Sequence, residues 1–433
     1  MPFAGLDLHK KMIEAVVLED DGTIRLRQRF PATRAAITAF ARQHLVGCAV
    51  ALEATFHTWP VVDLLQEFAA EVVVSNPMRT RAIAQAKIKT DRVDALVLAQ
   101  LLRLDYLPRV WLPDPDTQAA RRRSTERANL VADCTRIKNR IHAVLHHRLL
   151  EAPGGDLFCP GNLQWLASLP LEPAGRESLD RHLRLLVQTQ AELEMLDQEL
   201  AEHAWQQPSI RLLMTLPGVD YAVAESLLAA LGDITRFPSA DQAASYLGLV
   251  TSTYQSGEHC YHGKITKQGR SHARWMMVQA AQHLDQHPGP LGVFFRRLAR
   301  KKNRNVAVVA TARKLVTISW HMLTHQEPYR YALPATTQAK LARLRVRATG
   351  VRKKGGHAKG TPRSKAYGSG QGTRGVPALA AVYAAEQLPP LAAPPPGEEK
   401  MIERQQLTAF AGSIRQGHRV ARKQGPRQRT EEK

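Results

Sequence analysis

The 433-residue sequence predicts an α/β domain at the amino terminus, followed by mostly α-helical chain and a disordered basic tail. Three observations support this prediction. Short apolar runs bounded by turn residues alternate with helix-like stretches in the first hundred residues. Two long stretches between residues 116 and 205 have the composition of helices. The last hundred residues are rich in Gly, Pro, Ser and Arg, which is typical of disorder.

The first domain begins with a predicted antiparallel meander of three strands. Its strands are PFAGLDLH, MIEAVVLE and TIRLRQRF, and the turn DDG precedes the third. Next come the helix-like TRAAITAFARQHL, the apolar strand CAVALEAT, the helix WPVVDLLQEFA and the strand EVVVSNP. KTDRVDALVLAQLLR then predicts a helix that Thr90 would cap. The order is therefore three strands, then alternating helices and strands.

Four carboxylates occupy defined positions in this pattern. Asp7 lies on the predicted central strand, and Glu53 lies near the carboxyl end of a buried strand. Asp91 and Asp94 share one face of a helix start, because they are three residues apart. Taken singly, an acid at a helix start stabilises the helix dipole, and an acid on a strand is often solvated. The combined order is typical of the ribonuclease-H-like nuclease fold. It predicts a Mg²⁺ site for phosphodiester chemistry, with Mn²⁺ as a substitute.

Composition limits the remaining classes. Four scattered cysteines without a CxxC pair indicate neither a zinc module nor a disulfide framework, and favour a reducing cytoplasm. No signal peptide and no apolar run long enough to span a bilayer are evident, so we expect a cytoplasmic protein without a membrane partner. The formal net charge of +21 indicates a polyanionic partner.

Most of the net positive charge, +14 of +21, lies in residues 334–433. Residues 334–433 contain 20 Lys and Arg against 6 Glu. We expect this tail to be largely disordered and to bind nucleic acid through phosphates, although a purely solubilising role is the alternative. The helix-prone stretches before it include a heptad-like series of leucines, at positions 179, 183, 186, 193, 196 and 200. This series favours a helical hairpin or a dimerising coiled coil, and an ordinary amphipathic helix is equally compatible with either stretch.

A second chemical motif begins at Met214. MTLPGVDYAVAESLLAAL resembles a helix-hairpin-helix, in which the PGV turn offers backbone N–H groups to a phosphate, although Asp220 replaces the usual glycine. A polar loop with Ser256 and Gly257 follows. Four nearby cations are candidates for backbone-phosphate contacts: Lys264, Lys267, Arg270 and Arg274. Spacing alone favours a serine that only makes a turn, since it has no visible His–Asp partner.

These motifs together resemble the DEDD-type insertion-sequence transposases known as bridge-RNA-guided recombinases. The resemblance covers roughly residues 1–333 and rests on GLDLHK, ALEAT, SNP, KTDRVDA, LPGV and YLGLV...QSG...GKITKQGRSHAR. It implies a Holliday-junction-resolvase-like domain over residues 1–113 and a helical coiled-coil region over 114–207. It further implies a serine-containing transposase domain over 208–333, with the tail at 334–433 outside the resemblance.

The resemblance also assigns roles to individual residues. It implies that Asp7, Glu53, Asp91 and Asp94 hold Mg²⁺ and that Ser256 is a nucleophile joined covalently to cleaved DNA. Metal at the scissile phosphate would explain why this serine needs no histidine. The implied partners are double-stranded donor and target DNA and a structured non-coding guide RNA. A homo-oligomer, dimer or tetramer, would combine acids and serine from different protomers.

Two alternatives remain open at this point. In the first, the protein is a Mg²⁺-dependent junction-resolving endonuclease in which water attacks and Ser256 is structural. In the second, it is a non-catalytic nucleic-acid-binding protein, an RNA or DNA chaperone, whose acids are vestigial or merely structural. Tyr254, His259 and His262 are available as proton carriers, although loop residues beside DNA need no catalytic role.

Overall fold

A computed structural model describes residues 1–83, 90–351 and 373–421, with the side chains of 373, 374 and 419–421 also left aside. The chain divides into two compact units, Met1–Asp114 and Pro115–Lys433. The second unit contains the helical middle region, the serine-containing region and the described part of the tail.

The first unit contains a mixed six-stranded sheet in the order β3-β2-β1-β4-β5-β6. Its strands are β1 (Phe3–Leu8), β2 (Met12–Leu18), β3 (Ile24–Pro31), β4 (Ala49–Glu53), β5 (Glu71–Ser75) and β6 (Arg109–Val110). Strands β1 to β3 form an antiparallel meander, β4 and β5 run parallel to β1, and β6 is antiparallel to β5. The predicted meander and the two later strands are confirmed.

The helices of the first unit cover the two faces of this sheet. They are α1 (Arg34–Phe40), α2 (Thr58–Leu65), α3 (Pro77–Ile83) and α4 (Asp91–Arg103), with a π-helical turn at Ala41–Leu45 after α1. Ala4, Leu6 and Leu8 of β1 enter one core cluster, together with Val61 and Leu65 of α2. Side chains alternate along a strand, so Gly5 and Asp7 point to the other face, which α4 covers.

The second unit is mainly helical. Its helices are α5 (Pro115–His146), α6 (Pro160–Ser168), α7 (Pro173–Gln206), α8 (Pro208–Leu213), α9 (Tyr221–Leu231), α10 (Ala240–Tyr246), α11 (Ser271–Ala281), α12 (Pro290–Lys301), α13 (Arg304–His325), α14 (Pro334–Thr349), α15 (Leu379–Ala385), α16 (Glu398–Arg404) and α17 (Thr408–Gln416). Its strands form two antiparallel pairs, β7 (Thr251–Ser256) with β8 (His259–Ile265) and β9 (Thr373–Val376) with β10 (His418–Ala421).

The long helices α5 and α7 pack against each other in antiparallel directions. Arg127 Nε lies 2.6 Å from Asp197 Oδ1 near one end of the pair, and Arg148 bonds to Glu172 near the other. Most leucines of the predicted seam are buried, at positions 179, 186, 196 and 200. A helical hairpin within one chain accounts for this burial, and dimerisation through a coiled coil stays a prediction.

The predicted disorder of the whole tail is wrong for its described part. Residues 334–349 form α14, and 373–421 contain three helices and a two-stranded ribbon. The Glu398 side chain is 2% exposed, and it accepts a 2.8 Å hydrogen bond from the Tyr331 hydroxyl and pairs with Arg415 at 3.3 Å. The polar, Gly- and Pro-rich composition of the tail hides apolar residues at helical spacing. Leu379, Val382 and Tyr383 are examples, and all three are buried. Residues 352–372 and 422–433 lie outside the described residues.

None of the described helices combines the length and the apolar character needed to cross a bilayer.

Candidate metal centre and serine hairpin

Asp7 owes its position to the close approach of α4 to β1. Gly5 precedes it by two residues on the same sheet face, and a Cβ there would lie 2.0 Å from the Ala95 carbonyl oxygen. Only a glycine leaves room for the backbone of α4 at this point. The start of α4, which carries Asp91 and Asp94, is thereby held beside the carboxyl end of β1.

The start of α4 is set by a side-chain cap. Thr90 is extended (φ −141°, ψ 153°), and its hydroxyl accepts a hydrogen bond from the Val93 N–H, as predicted. Asp91 and Asp94 then occupy the first helical turn. Their charges favour the positive end of the helix dipole, which makes this a stable place for two carboxylates.

Three side chains meet at this point. His9 Nε2 lies 3.0 Å from Asp7 Oδ2 and 3.2 Å from Asp91 Oδ1. One ligand atom from each of Asp7, His9 and Asp91 lies within 4.8 Å of the others, which is close enough for one metal ion. The Asp7 side chain is 15% exposed, whereas that of Asp91 is 49% exposed.

The electrostatics of Asp7 favour a bound cation. Burial raises the pKa of its carboxyl, His9 lowers it, and the charges of Asp94 and Asp91 raise it again, with a net upward shift. Ionised Asp7 is therefore disfavoured by its surroundings, and Asp94 is near enough to contribute. A divalent cation would relieve both the burial cost and the repulsion among the carboxylates.

Glu53 is brought to the same region by strand register. Leu52 of β4 pairs with Leu6 of β1 in parallel alignment, so the next positions along the two strands are Glu53 and Asp7. Both side chains then project from the same sheet face. Among the described residues, Glu53 and Asp94 fall outside the group whose ligand atoms lie within 4.8 Å. The structure thus gathers Asp7 and Asp91 most closely and brings Glu53 and Asp94 near them.

Two further residues lie beside Asp7 and were not predicted from the sequence. His9 is the first residue after β1, and its ring lies 3.0 Å from the Asp7 carboxylate two residues before it. Glu14 pairs directly with Asp7 across the β1–β2 hairpin, has a side chain only 7% exposed, and lies 3.4 Å from Arg92 Nε. A charged residue within the apolar run MIEAVVL was the available signal for Glu14.

The donor set fits a hard divalent cation. Carboxylate oxygens are the preferred ligands of Mg²⁺, and the imidazole of His9 is a ligand that Mn²⁺ accepts more readily. Asp7, Asp91 and His9 would hold such an ion, with Glu53 and Asp94 available for water-mediated contacts or a second ion.

Adding Mg²⁺ or Mn²⁺ is expected to raise the melting temperature of the protein, and Asp7→Asn is expected to abolish most of this rise. The raised pKa means that ionised Asp7 lowers the stability of the metal-free fold once the pH exceeds that pKa. At neutral pH, Asp7→Asn should therefore melt higher than the wild type in EDTA. Differential scanning fluorimetry with and without cation measures both effects. Equal cation-induced shifts in the two proteins would contradict this metal site.

Ser256 lies on a β-hairpin rather than in the polar loop that the sequence predicts. It is the last residue of β7 and pairs with His259, the first residue of β8. The two-residue turn begins with Gly257 at φ 58°, a conformation that glycine adopts without strain. Ser256 and both residues of the turn are exposed. The serine is thus presented at the tip of a projecting element.

The predicted phosphate-binding cations have different surroundings. Lys264 and Lys267 are exposed, and Lys267 has a left-handed backbone with φ 55°. Arg274 is half-buried and its Nη1 donates to the Leu247 and Gln268 carbonyls, at 3.0 and 3.2 Å. Burial raises the pKa of Tyr246, but Arg236, Arg121 and, to a smaller extent, Arg270 lower it, with a net downward shift. The two lysines therefore suit phosphate contact best, and Arg274 also stabilises the base of the hairpin.

Leu216 and Val219 of the LPGV turn are buried, whereas Gly218 is exposed. A Cβ at Gly218 would lie 2.1 Å from the Ala280 carbonyl oxygen, so α11 packs directly on the turn. Lys340 donates to the Leu216 and Val219 carbonyls, at 2.7 and 2.9 Å. Asp220 caps α9 by accepting from the Val223 N–H at 2.9 Å, which places a negative charge where a phosphate would bind. This geometry agrees with the doubt that Asp220, in place of the usual glycine, casts on phosphate binding at this turn.

Comparison with known proteins finds two matching family models. Residues 4–148 match a model of IS110-type DEDD transposases, and residues 210–292 match the model of the transposase IS116/IS110/IS902 family. The first range contains all four acids, and the second contains Ser256 and the four predicted cations. Residues after 292 lie outside both matched ranges.

Several curated proteins are similar over most of their length. A putative transposase of Sinorhizobium fredii is 28% identical over 290 residues, which cover 64% of this chain and 70% of the relative. The transposase for insertion sequence element IS1328 of Yersinia enterocolitica is 26% identical over 328 residues, covering 74% and 96%. A pilin gene-inverting protein of Moraxella bovis is 25% identical over 272 residues, covering 60% and 74%.

Proposed function

Because the chain belongs to the family of DEDD-type insertion-sequence transposases, we propose that it cleaves and rejoins DNA through Ser256 with the help of a divalent metal ion. The observation that carries this proposal is the meeting of Asp7, Asp91 and His9 at the end of β1, with Asp94 and Glu53 nearby. A half-buried group of carboxylates in a protein with a net charge of +21 is suited to metal-assisted chemistry on a polyanion.

The proposed role of the acids is to hold the metal and to position the scissile phosphate. Bound Mg²⁺ or Mn²⁺ would act as a Lewis acid on the phosphate and lower the pKa of the attacking hydroxyl. Asp7, Asp91 and His9 are the proposed ligands of one ion, and Glu53 and Asp94 complete the four-acid set. The strand order of the first unit supports a ribonuclease-H-like domain for this role.

The proposed role of Ser256 is nucleophilic. Ser256 is exposed at the tip of the β7–β8 hairpin within the described part of the chain, which supports attack on an external phosphodiester. Attack by Oγ would form a serine–phosphate bond and release the leaving 3′ or 5′ oxygen of the DNA, with the serine proton passing to solvent or a nearby base. The retained phosphodiester energy would allow a second DNA end to displace the serine. Lys264, Lys267, Arg270 and Arg274 are the proposed partners of the flanking phosphates.

The family resemblance supports two further proposals about partners. We propose that a structured non-coding RNA pairs with donor and target DNA, so that the protein itself reads little sequence. We also propose a homo-oligomer, for which the leucine-rich helix α7 is the candidate contact. Both proposals follow from the family and are compatible with the strong positive charge of the chain.

One assay separates this function from its two alternatives. Purified protein is incubated with element-end DNA, Mg²⁺ and RNA transcribed from the flanking sequence, and the products are then digested with protease. We expect a DNA end that carries a residual peptide, seen as slower migration and by mass spectrometry. Cleavage that leaves only unmodified ends would indicate a nuclease that uses water. Binding without any cleavage would indicate a non-catalytic nucleic-acid-binding protein.

A further inference from the structure

The hairpin that carries Ser256 also exposes two tyrosines. Tyr254 on β7 and Tyr261 on β8 are 71% and 68% exposed, and they form a direct cross-strand pair. No residue from 251 to 265 is fully buried. A two-stranded ribbon is only marginally stable by itself in water. Two large aromatic rings exposed together on such a ribbon therefore indicate a surface that a partner covers.

These tyrosines lie on the same hairpin face as the serine. Side chains alternate along a strand, so Tyr254 and Ser256 project to one face, separated by the rise of two residues, about 6.7 Å. Their cross-strand partners Tyr261 and His259 project to that face as well. We call this surface the serine face; it comprises Tyr254, Ser256, His259 and Tyr261. Whatever binds at the Ser256 hydroxyl must also pass over the tyrosines.

The charged residues around the hairpin favour a polyanionic ligand. Lys264 on β8 and Lys267 just after it are exposed cations, and Glu258 in the turn is the one acid between residues 251 and 267. The opposite face is more polar, with Thr253 Oγ1 3.0 Å from His262 Nδ1 and Gln255 paired with Cys260. Aromatic planes beside cations are the combination that binds single-stranded nucleic acid, through base stacking and phosphate contacts.

We propose that Tyr254 and Tyr261 stack on unpaired DNA bases next to the phosphodiester that Ser256 attacks. This inference rests on the proposed function, because it takes DNA at Ser256 as the occupant of the serine face. DNA is favoured over RNA since the serine on this face acts on a DNA phosphate. Unpaired bases are favoured because a ring can stack only on a base outside the duplex, and strand exchange must release bases from their original pairs. The tyrosines thereby hold the cleaved end for rejoining.

The test measures single-stranded DNA binding in a protein that cannot perform the chemistry. Full-length protein with Ser256→Ala is titrated against a fluorescein-labelled oligothymidine, and fluorescence anisotropy gives Kd. Adding Tyr254→Leu and Tyr261→Leu is expected to weaken binding by about tenfold to a hundredfold, because two stacking planes are lost. Adding Tyr254→Phe and Tyr261→Phe instead should retain the affinity within about twofold, because both rings remain.

Matched controls separate stacking from damage to the hairpin. Gln255→Ala with Cys260→Ala removes the neighbouring cross-strand pair on the opposite face and should leave binding unchanged. Equal affinity of the leucine and phenylalanine variants would overturn the inference. So would a loss confined to an oligouridine RNA of the same length, which would assign the surface to RNA.

The outcomes remain distinguishable from those for the proposed function. Oligothymidine binding in the Ser256→Ala background does not depend on whether serine or water attacks the DNA. A covalent adduct in the wild type together with normal binding by the leucine variant would overturn the stacking surface alone. Lost binding in the leucine variant together with an adduct that survives Ser256→Ala would overturn the serine nucleophile alone.

Discussion

Replacing Ser256 with alanine is expected to abolish both the covalent protein–DNA adduct and strand exchange, while nucleic-acid binding persists. The physical reason is that Oγ is the only atom lost, and the hydroxyl is exposed at the hairpin tip, so the fold does not depend on it. Removal of a nucleophile leaves no route to a serine–phosphate bond. Denaturing gels of labelled DNA after protein treatment measure the adduct, and a recombination reporter measures strand exchange.

A matched serine on the same strand provides the control for Ser256→Ala. Ser252 Oγ donates to the Lys264 carbonyl at 3.3 Å, so Ser252→Ala removes a hydroxyl and one long hydrogen bond from the same hairpin. This variant should keep the adduct and most of the activity. An adduct that persists in Ser256→Ala would exclude Ser256 as the nucleophile. Cleavage without adduct in both the wild type and Ser256→Ala would favour the water-using nuclease.

Replacing Gly5 with alanine is expected to unfold or strongly destabilise the first unit and to abolish activity. The added methyl would lie 2.0 Å from the Ala95 carbonyl oxygen and 2.7 Å from the Ala99 backbone nitrogen. Both are backbone atoms that cannot rotate away, so α4 must move as a body or the strand must distort. Overpacking of this kind costs about 1–3 kcal/mol or more. Movement of α4 also separates Asp91 and Asp94 from Asp7.

Thermal unfolding and the cation-induced shift together measure this effect. Gly5→Ala should lower the melting temperature of the first unit and should also lose the stabilisation by Mg²⁺ or Mn²⁺. Gly154→Ala is the matched control, because among the described residues no heavy atom beyond its chain neighbours lies within 4 Å of its added Cβ. We expect that variant to behave as the wild type. A Gly5→Ala protein with normal melting and a normal cation shift would show that the close packing of α4 on β1 is not what positions the acids.

Local signals explain why much of the first unit could be predicted. Each strand of the meander is a short apolar run, and the turn at DDG and the Thr90 cap are formed by neighbouring residues. The positions of Asp7, Glu53, Asp91 and Asp94 on their elements follow from the same local rules. The hairpin at Ser256 was missed because both its faces are polar, so hydrophobic periodicity is absent, although a glycine-led two-residue turn was present.

Long-range pairing explains what could not be predicted. Glu14 lies opposite Asp7 only because β1 and β2 align in one register, and a shift by one residue would move it to the other sheet face. His9 joins the acids because α4 packs on β1 and brings Asp91 to its ring. Glu398 ties residues near the carboxyl terminus to the rest of the second unit. It bonds to Tyr331 and Arg330, which lie more than sixty residues before it, and to Arg415, which lies seventeen residues after it.

The types of side chain and the elements that carry them can be derived from local sequence: two strand acids, a capped helix with two more acids, and a serine followed by cations. These depend on propensity, capping and periodicity, which act over a few residues. Which of these groups meet depends on long-range packing and strand register. The register of β1 with β2 and β4, and the room that Gly5 leaves for α4, place one histidine and the carboxylates at a single strand end. The pairing of β7 with β8 places Ser256 and two tyrosines on one exposed face.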